Sequence, residues 1–115
     1  MFLFEKLEVY QKSLGLSVDV YEFLKVSKID KALKGQLQRA STSIALNIAE
    51  GSGRFTQKDK KSFYTNARSS VLECVAIFQI LLKNKTLEQE EYDVFYANLE
   101  EIAKMLSGLI NKFKE

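Results

Sequence analysis

The sequence predicts an all-α protein, a single up-down-up-down antiparallel four-helix bundle over residues 1–115. Three observations carry that prediction. Apolar residues recur at three- and four-residue steps in four successive segments. Each break between segments bears a helix stop or start signal. The connections are only a few residues long, which favours antiparallel neighbours within one chain. A composition of 46% hydrophobic and 28% charged residues suits one globular domain.

The first helix is expected over about residues 5–26. Its stripe is Leu7, Tyr10, Leu14, Val18, Tyr21 and Leu24, with Glu8, Lys12, Asp19, Glu22 and Lys25 mostly on the other side. The second is expected over about 30–50, with Leu33, Leu37, Ala40, Ile44 and Ile48 inward. Gly51-Ser52-Gly53 should end it, because glycine takes the left-handed cap conformation without a Cβ clash.

The third helix is expected over about 57–84, opened by Thr56-Gln57-Lys58-Asp59, which offers a hydroxyl cap and an acid three residues on. Phe63, Ala67, Val71, Cys74, Phe78 and Leu81 form its stripe, yet residues 71–82 contain only Glu73 and Gln79 as strongly polar positions. Such a helix is apolar nearly all round. The fourth is expected over about 87–114 behind the capping box Thr86-Leu87-Glu88-Gln89. Tyr92, Phe95, Leu99, Ile102, Leu106, Leu109 and Phe113 make its face, widened by Tyr96, Ala103 and Ile110. The third and fourth helices together offer more apolar surface than one bundle core consumes, which predicts a homo-oligomer.

Several chemistries are excluded or disfavoured. The chain has no histidine, which removes serine and cysteine triads, histidine acid–base catalysis, di-iron bundle motifs and most zinc sites. No metal, cofactor or catalytic residue is expected. The single Cys74 makes no intrachain disulfide and lies in an apolar run, where cysteine acts as a small core residue. With no signal-like start and no apolar run near the roughly 18 residues of a membrane span, a cytoplasmic location away from membranes is expected. Most tyrosines and phenylalanines fall on core stripes and read as packing.

The net charge is +2, but Lys28–Arg68 holds nine basic residues against Asp30, Glu50 and Asp59, leaving the remainder negative. That asymmetry predicts a region attracting polyanions, repeated once per subunit in an oligomer. Arg39, Arg54, Lys58, Lys60, Lys61 and Arg68 are the candidate nucleic-acid contacts. Arg54, Lys58, Lys60 and Lys61 form the best cluster, beside the start of a helix. Glu50 and Glu73 are the only acids within otherwise apolar helical stretches, and an acid–arginine network with Arg39, Arg54 or Arg68 is expected in preference to paired-carboxylate catalysis.

The segment from Gln38 to Arg54, with its core Asn47-Ile48-Ala49-Glu50-Gly51-Ser52-Gly53-Arg54, together with Lys58-Asp59, Phe63 and Glu73, resembles the four-helix bundle proteins encoded in bacterial 23S ribosomal RNA intervening sequences. Phe4-Glu5-Lys6-Leu7-Glu8-Val9-Tyr10 resembles the family's opening, so the likeness covers nearly the whole chain. The resemblance implies a homopentameric barrel with no established enzymatic activity. It also implies kinship with the accessory subunit of diversity-generating retroelements, a basic pentamer that binds nucleic acid and a reverse transcriptase.

Asn47, Glu50, Gly51, Gly53, Arg54, Asp59 and Glu73 carry over as motif positions. Their expected role is structural, holding the junction between the second and third helices through carboxylate–arginine and carboxylate–amide contacts, with direct ligand binding as the alternative. Ala45 stands where the family commonly has proline, and Ser69 where it has glycine, which puts a helix kink and a tight helix contact in question. The expected function is a non-enzymatic oligomeric bundle whose basic surface engages RNA, DNA or a nucleic-acid enzyme. The alternative is a protein-interaction scaffold with no nucleic-acid role.

Overall fold

Leu7 sits in extended conformation (φ −77°, ψ 125°) and divides the first expected helix into a 3-10 turn, Leu3–Lys6, and α1, Glu8–Val26. The computed structural model describes residues 1–113 and continues with α2 (Lys31–Ser52), α3 (Gln57–Lys83) and α4 (Gln89–Asn111). Asp30 caps α2 by accepting from the Leu33 amide at 3.2 Å, and Thr56 caps α3 by accepting from the Asp59 amide at 3.1 Å. Ala45 keeps α2 continuous through its middle. The fourth helix starts two residues later than its capping signal suggested, because Leu87 is drawn into the core and Glu88 becomes the cap, its amide donating to the Glu91 carboxylate at 3.3 Å. The expected end of that helix at residue 114 lies outside the described residues.

Each helix packs on its neighbours in sequence, and α4 closes back on α1, while the backbones of the diagonal pairs α1/α3 and α2/α4 stay apart and Phe23 reaches Phe78 across the core with ring centroids 6.3 Å apart. Cross-helix contacts set the antiparallel register: Ser43 with Ser70 at 2.9 Å, Gln79 with Tyr92 at 3.2 Å, and Lys12 with Glu101 at 3.2 Å. In the core Phe78 stacks on Phe95 with ring centroids 4.4 Å apart, and Phe23 meets Phe95 edge-on at 5.5 Å. No described helix is long and apolar enough to cross a membrane.

The inward face of α1 differs from the expected stripe. Val9, Ser13, Leu16, Val20 and Leu24 are buried, whereas Leu14, Val18 and Tyr21 are 41%, 55% and 48% exposed. Apolar residues occupy two adjoining faces of this helix, and the buried one includes a serine. Ser13 is tolerated there because its hydroxyl donates to the Val9 carbonyl at 2.7 Å, leaving no unpaired polar group. On the far side of the bundle, the outward face of α3 shows Leu72 and Ile80 about half exposed.

Candidate functional site

The family-like motif lies where α2 gives way to α3. Here α2 runs on through Gly51 and Ser52, and right-handed backbone completes the exit: Gly53 has φ −89° and ψ −4°, its amide donates to the Glu50 carbonyl at 3.1 Å, and the Arg54 amide donates to the Gly51 carbonyl at 3.2 Å. No described glycine has positive φ, so the expected left-handed glycine cap is not used. The requirement at Gly51 is steric. A Cβ there would lie 2.8 Å from the Phe63 Cβ and 3.1 Å from the Tyr64 ring, so glycine lets the start of α3 press onto α2. Ser52 ties the same junction, its hydroxyl donating to the Ile48 carbonyl at 2.8 Å and lying 2.9 Å from the Tyr64 hydroxyl.

Three of the six candidate nucleic-acid contacts have partners within the fold. The Arg54 guanidinium is 3.2 Å from the Glu50 carboxylate and stacks 4.5 Å over the Phe63 ring. Lys60 Nζ donates to the Ser52 carbonyl at 2.9 Å, bridging the two helix ends. Arg68 Nε donates to the Ser107 hydroxyl at 2.9 Å and joins α3 to α4. Lys58 and Arg39 are exposed and Lys61 half-exposed, with no internal ion pair or hydrogen bond among the described residues. Lys58, Lys61 and Arg68 recur on one face of α3, spanning about 15 Å of its axis. Arg39 stands apart on the outer face of α2, lining a shallow hollow of about 480 Å³ with Gln38, Thr42, Leu46 and Asn47.

The expected single basic region is two regions. Lys28, Lys31 and Lys34 lie at the start of α2, and the cluster from Arg54 to Lys61 lies past its other end, about 33 Å away along a helix of 22 residues. Folding the segment into a hairpin of helices separates charges that are close in sequence.

The expected carboxylate–arginine network contracts to one pair. Glu50 holds Arg54, but both side chains are about half exposed, so the pair stabilises the junction by at most about 1 kcal/mol. Glu73 meets no arginine and accepts instead from Gln36 Nε2 at 3.4 Å. Since Gln36 lies fourteen residues before Glu50 on α2, the two glutamates are separated by roughly 20 Å and form no catalytic pair. Asn47 turns back on its own helix, donating to the Ser43 carbonyl and hydroxyl, both at 2.9 Å. Asp59 contributes its backbone amide to the Thr56 cap. Ser69 is exposed, so it loosens no buried contact within the chain, and the adjacent Ser70 makes the bond to α2. Cys74 is enclosed; burial first, and the Glu73 charge second, push its thiol up to about 12.

One junction residue escaped the sequence reading. Phe55 is 100% exposed, beside a hollow of about 410 Å³ lined by Ala49, Glu50, Gly53, Arg54, Thr56 and Asp59. Phe2, Tyr21 and Tyr96 are exposed as well, so the assignment of aromatics to packing fails at these positions too. The available signal was that Phe55 falls on none of the four apolar stripes.

Among known proteins, the fold resembles a crystal structure of a protein with unknown function from the S23 ribosomal protein family of Bacteroides thetaiotaomicron. The TM-score is 0.85 at 24% identity, over 89% of this chain and 97% of that one. No curated protein matches. Residues 5–108, from the 3-10 turn through nearly all of α4, match the family described as 23S rRNA-intervening sequence protein. The chain belongs to the 23S rRNA-intervening sequence protein family.

Proposed function

We propose that the chain is a cytoplasmic, non-enzymatic homo-oligomeric bundle, a pentamer by its family likeness, that engages RNA or DNA, or a nucleic-acid enzyme, through the basic face at the start of α3. The observation that carries this reading is the row Lys58, Lys61 and Arg68 on one side of α3, with both lysines free of internal partners among the described residues. Assembly is supported by two apolar faces on diagonally opposed helices: Leu14, Val18 and Tyr21 on α1, and Leu72 and Ile80 on α3. Contact between unlike faces of successive copies closes into a ring where the rotation per copy divides the circle, and a ring repeats the basic row once per subunit.

A mass measurement by light scattering, with the absorbance ratio read for copurified nucleic acid, tests the assembly. Binding is tested by titrating labelled RNA and DNA at several salt concentrations, since phosphate contacts give affinity that falls steeply with salt. Reversal of Lys58 and Lys61 to glutamate is expected to abolish that binding with helicity intact; unchanged binding removes this face from the proposal. The same exposed apolar faces favour the second reading, a protein-interaction scaffold. Nuclease-resistant protein partners without any salt-sensitive nucleic-acid binding would select it.

A further inference from the structure

Phe55 is the most exposed large apolar side chain among the described residues, yet it stands on one of the most firmly held turns. Before it, Arg54 is anchored by Glu50 and the Phe63 ring; after it, Thr56 caps α3. Burying a phenylalanine would contribute roughly 1.5–3 kcal/mol, which the chain forgoes here. Resting on the nucleic-acid reading above, we infer that Phe55 is a stacking platform for an unpaired base, so that the ligand of this face is single-stranded nucleic acid.

Three features specify that ligand. A flat, fully exposed apolar ring at the edge of a hollow is complementary to the flat face of a base, and stacking on aromatic side chains is the sequence-tolerant mode of binding single strands. The unpaired cations that follow it on the first turns of α3, Lys58 and Lys61, select a polyanion over an ordinary protein surface. Within a duplex each base face is already covered by its neighbours, so only an unpaired base has a face to offer. The acidic side of the hollow sharpens the arrangement. Glu50 is engaged by Arg54, but Asp59 also lines the hollow, and its carboxylate repels phosphate there. The uncharged base therefore lies over Phe55, and the phosphates run over Lys58 and Lys61 on the next turns of α3.

The chain contains no tryptophan, so Phe55→Trp installs a single tryptophan, excited selectively over the five tyrosines, at the inferred contact. The full-length variant is titrated at low salt with oligodeoxythymidylate and, separately, with its duplex with oligodeoxyadenylate, while anisotropy of a labelled strand reports binding. The single strand is expected to quench the emission with the midpoint of the binding curve. Phe55→Ala is expected to weaken single-strand binding roughly 5- to 150-fold, and duplex binding by less than about twofold, since the lysines remain. Strand binding that leaves the tryptophan unquenched, or a Phe55→Ala protein that binds as tightly as the parent, overturns the stacking role while the lysine face stands. Emission that shifts to the blue with protein concentration alone means that another copy covers the ring, and overturns it equally. If neither strand nor duplex binds the unaltered chain, both proposals fall together.

Discussion

At one end of α3 the five-residue turn Asn84–Glu88 folds Leu87 beneath the bundle, leaving it 2% exposed, whereas at the other the four-residue turn Gly53–Thr56 holds Phe55 wholly in solvent. Neither turn is loose. In the first, the Thr86 and Leu87 amides both donate to the Leu81 carbonyl, at 2.9 and 3.1 Å, and Asn84 Oδ1 accepts from the Thr86 amide at 3.0 Å. To reach that arrangement Lys85 adopts φ 65°, a left-handed conformation costing about 1–2 kcal/mol for a residue with a Cβ. Burial of a leucine contributes about 1.5–3 kcal/mol and carries the balance. The α2–α3 turn makes no such exchange. Strain accepted to hide an apolar residue marks work done for the fold; an unstrained turn that displays one leaves it available to a ligand.

Substitutions can break or sharpen this contrast. The largest effect is expected for Leu87→Ala, a loss of about 2–4 kcal/mol in urea denaturation at fixed protein concentration, since the side chain fills the base of the core. Gly51→Ala should cost about 1–3 kcal/mol by the same measurement, because the new methyl meets Phe63 backed by the body of α3. A near-neutral result would show that the two helices part easily. Lys85→Gly should gain about 0.5–1 kcal/mol by relieving the left-handed residue, seen as a higher thermal midpoint. Phe55→Ala should change stability by less than about 0.5 kcal/mol, and a larger loss would mean that the ring serves the fold after all.

The four helices and the start of α3 were legible because they rest on local chemistry, while the cap of α4 moved from Thr86 to Glu88 and the glycine end of α2 took right-handed backbone. A threonine with an acid three residues on places the start of α3 at Thr56, whereas the Asp30 cap of α2, with Leu33 three residues on, shows itself only in the folded chain. The rotation of α1 was not legible. Leu14, Val18 and Tyr21 keep as good a helical spacing as Val9, Leu16 and Val20, and the buried stripe passes through Ser13, whose bond to its own backbone no polarity pattern anticipates. At the junction the sequence located the motif but misassigned its parts. Gly51 answers to a contact with α3 twelve residues on, not to its own backbone angles. Lys60, Arg54 and Arg68 carry the same formal charge as Lys58 and Lys61, and only the folded chain distinguishes cations consumed by internal acceptors from those left facing water.

The enclosed sulfur of Cys74 makes the protein report on its own opening. Its proton is held to about pH 12 in the native bundle against 9.0 for an exposed thiol. Stability from this group is therefore full below pH 9 and drains away as alkalinity rises toward 12. Alkylating reagents need a thiolate within reach, so the rate of covalent labelling at neutral pH clocks how often the four rods separate. Any bound strand or added copy that steadies the assembly will register as a slower clock.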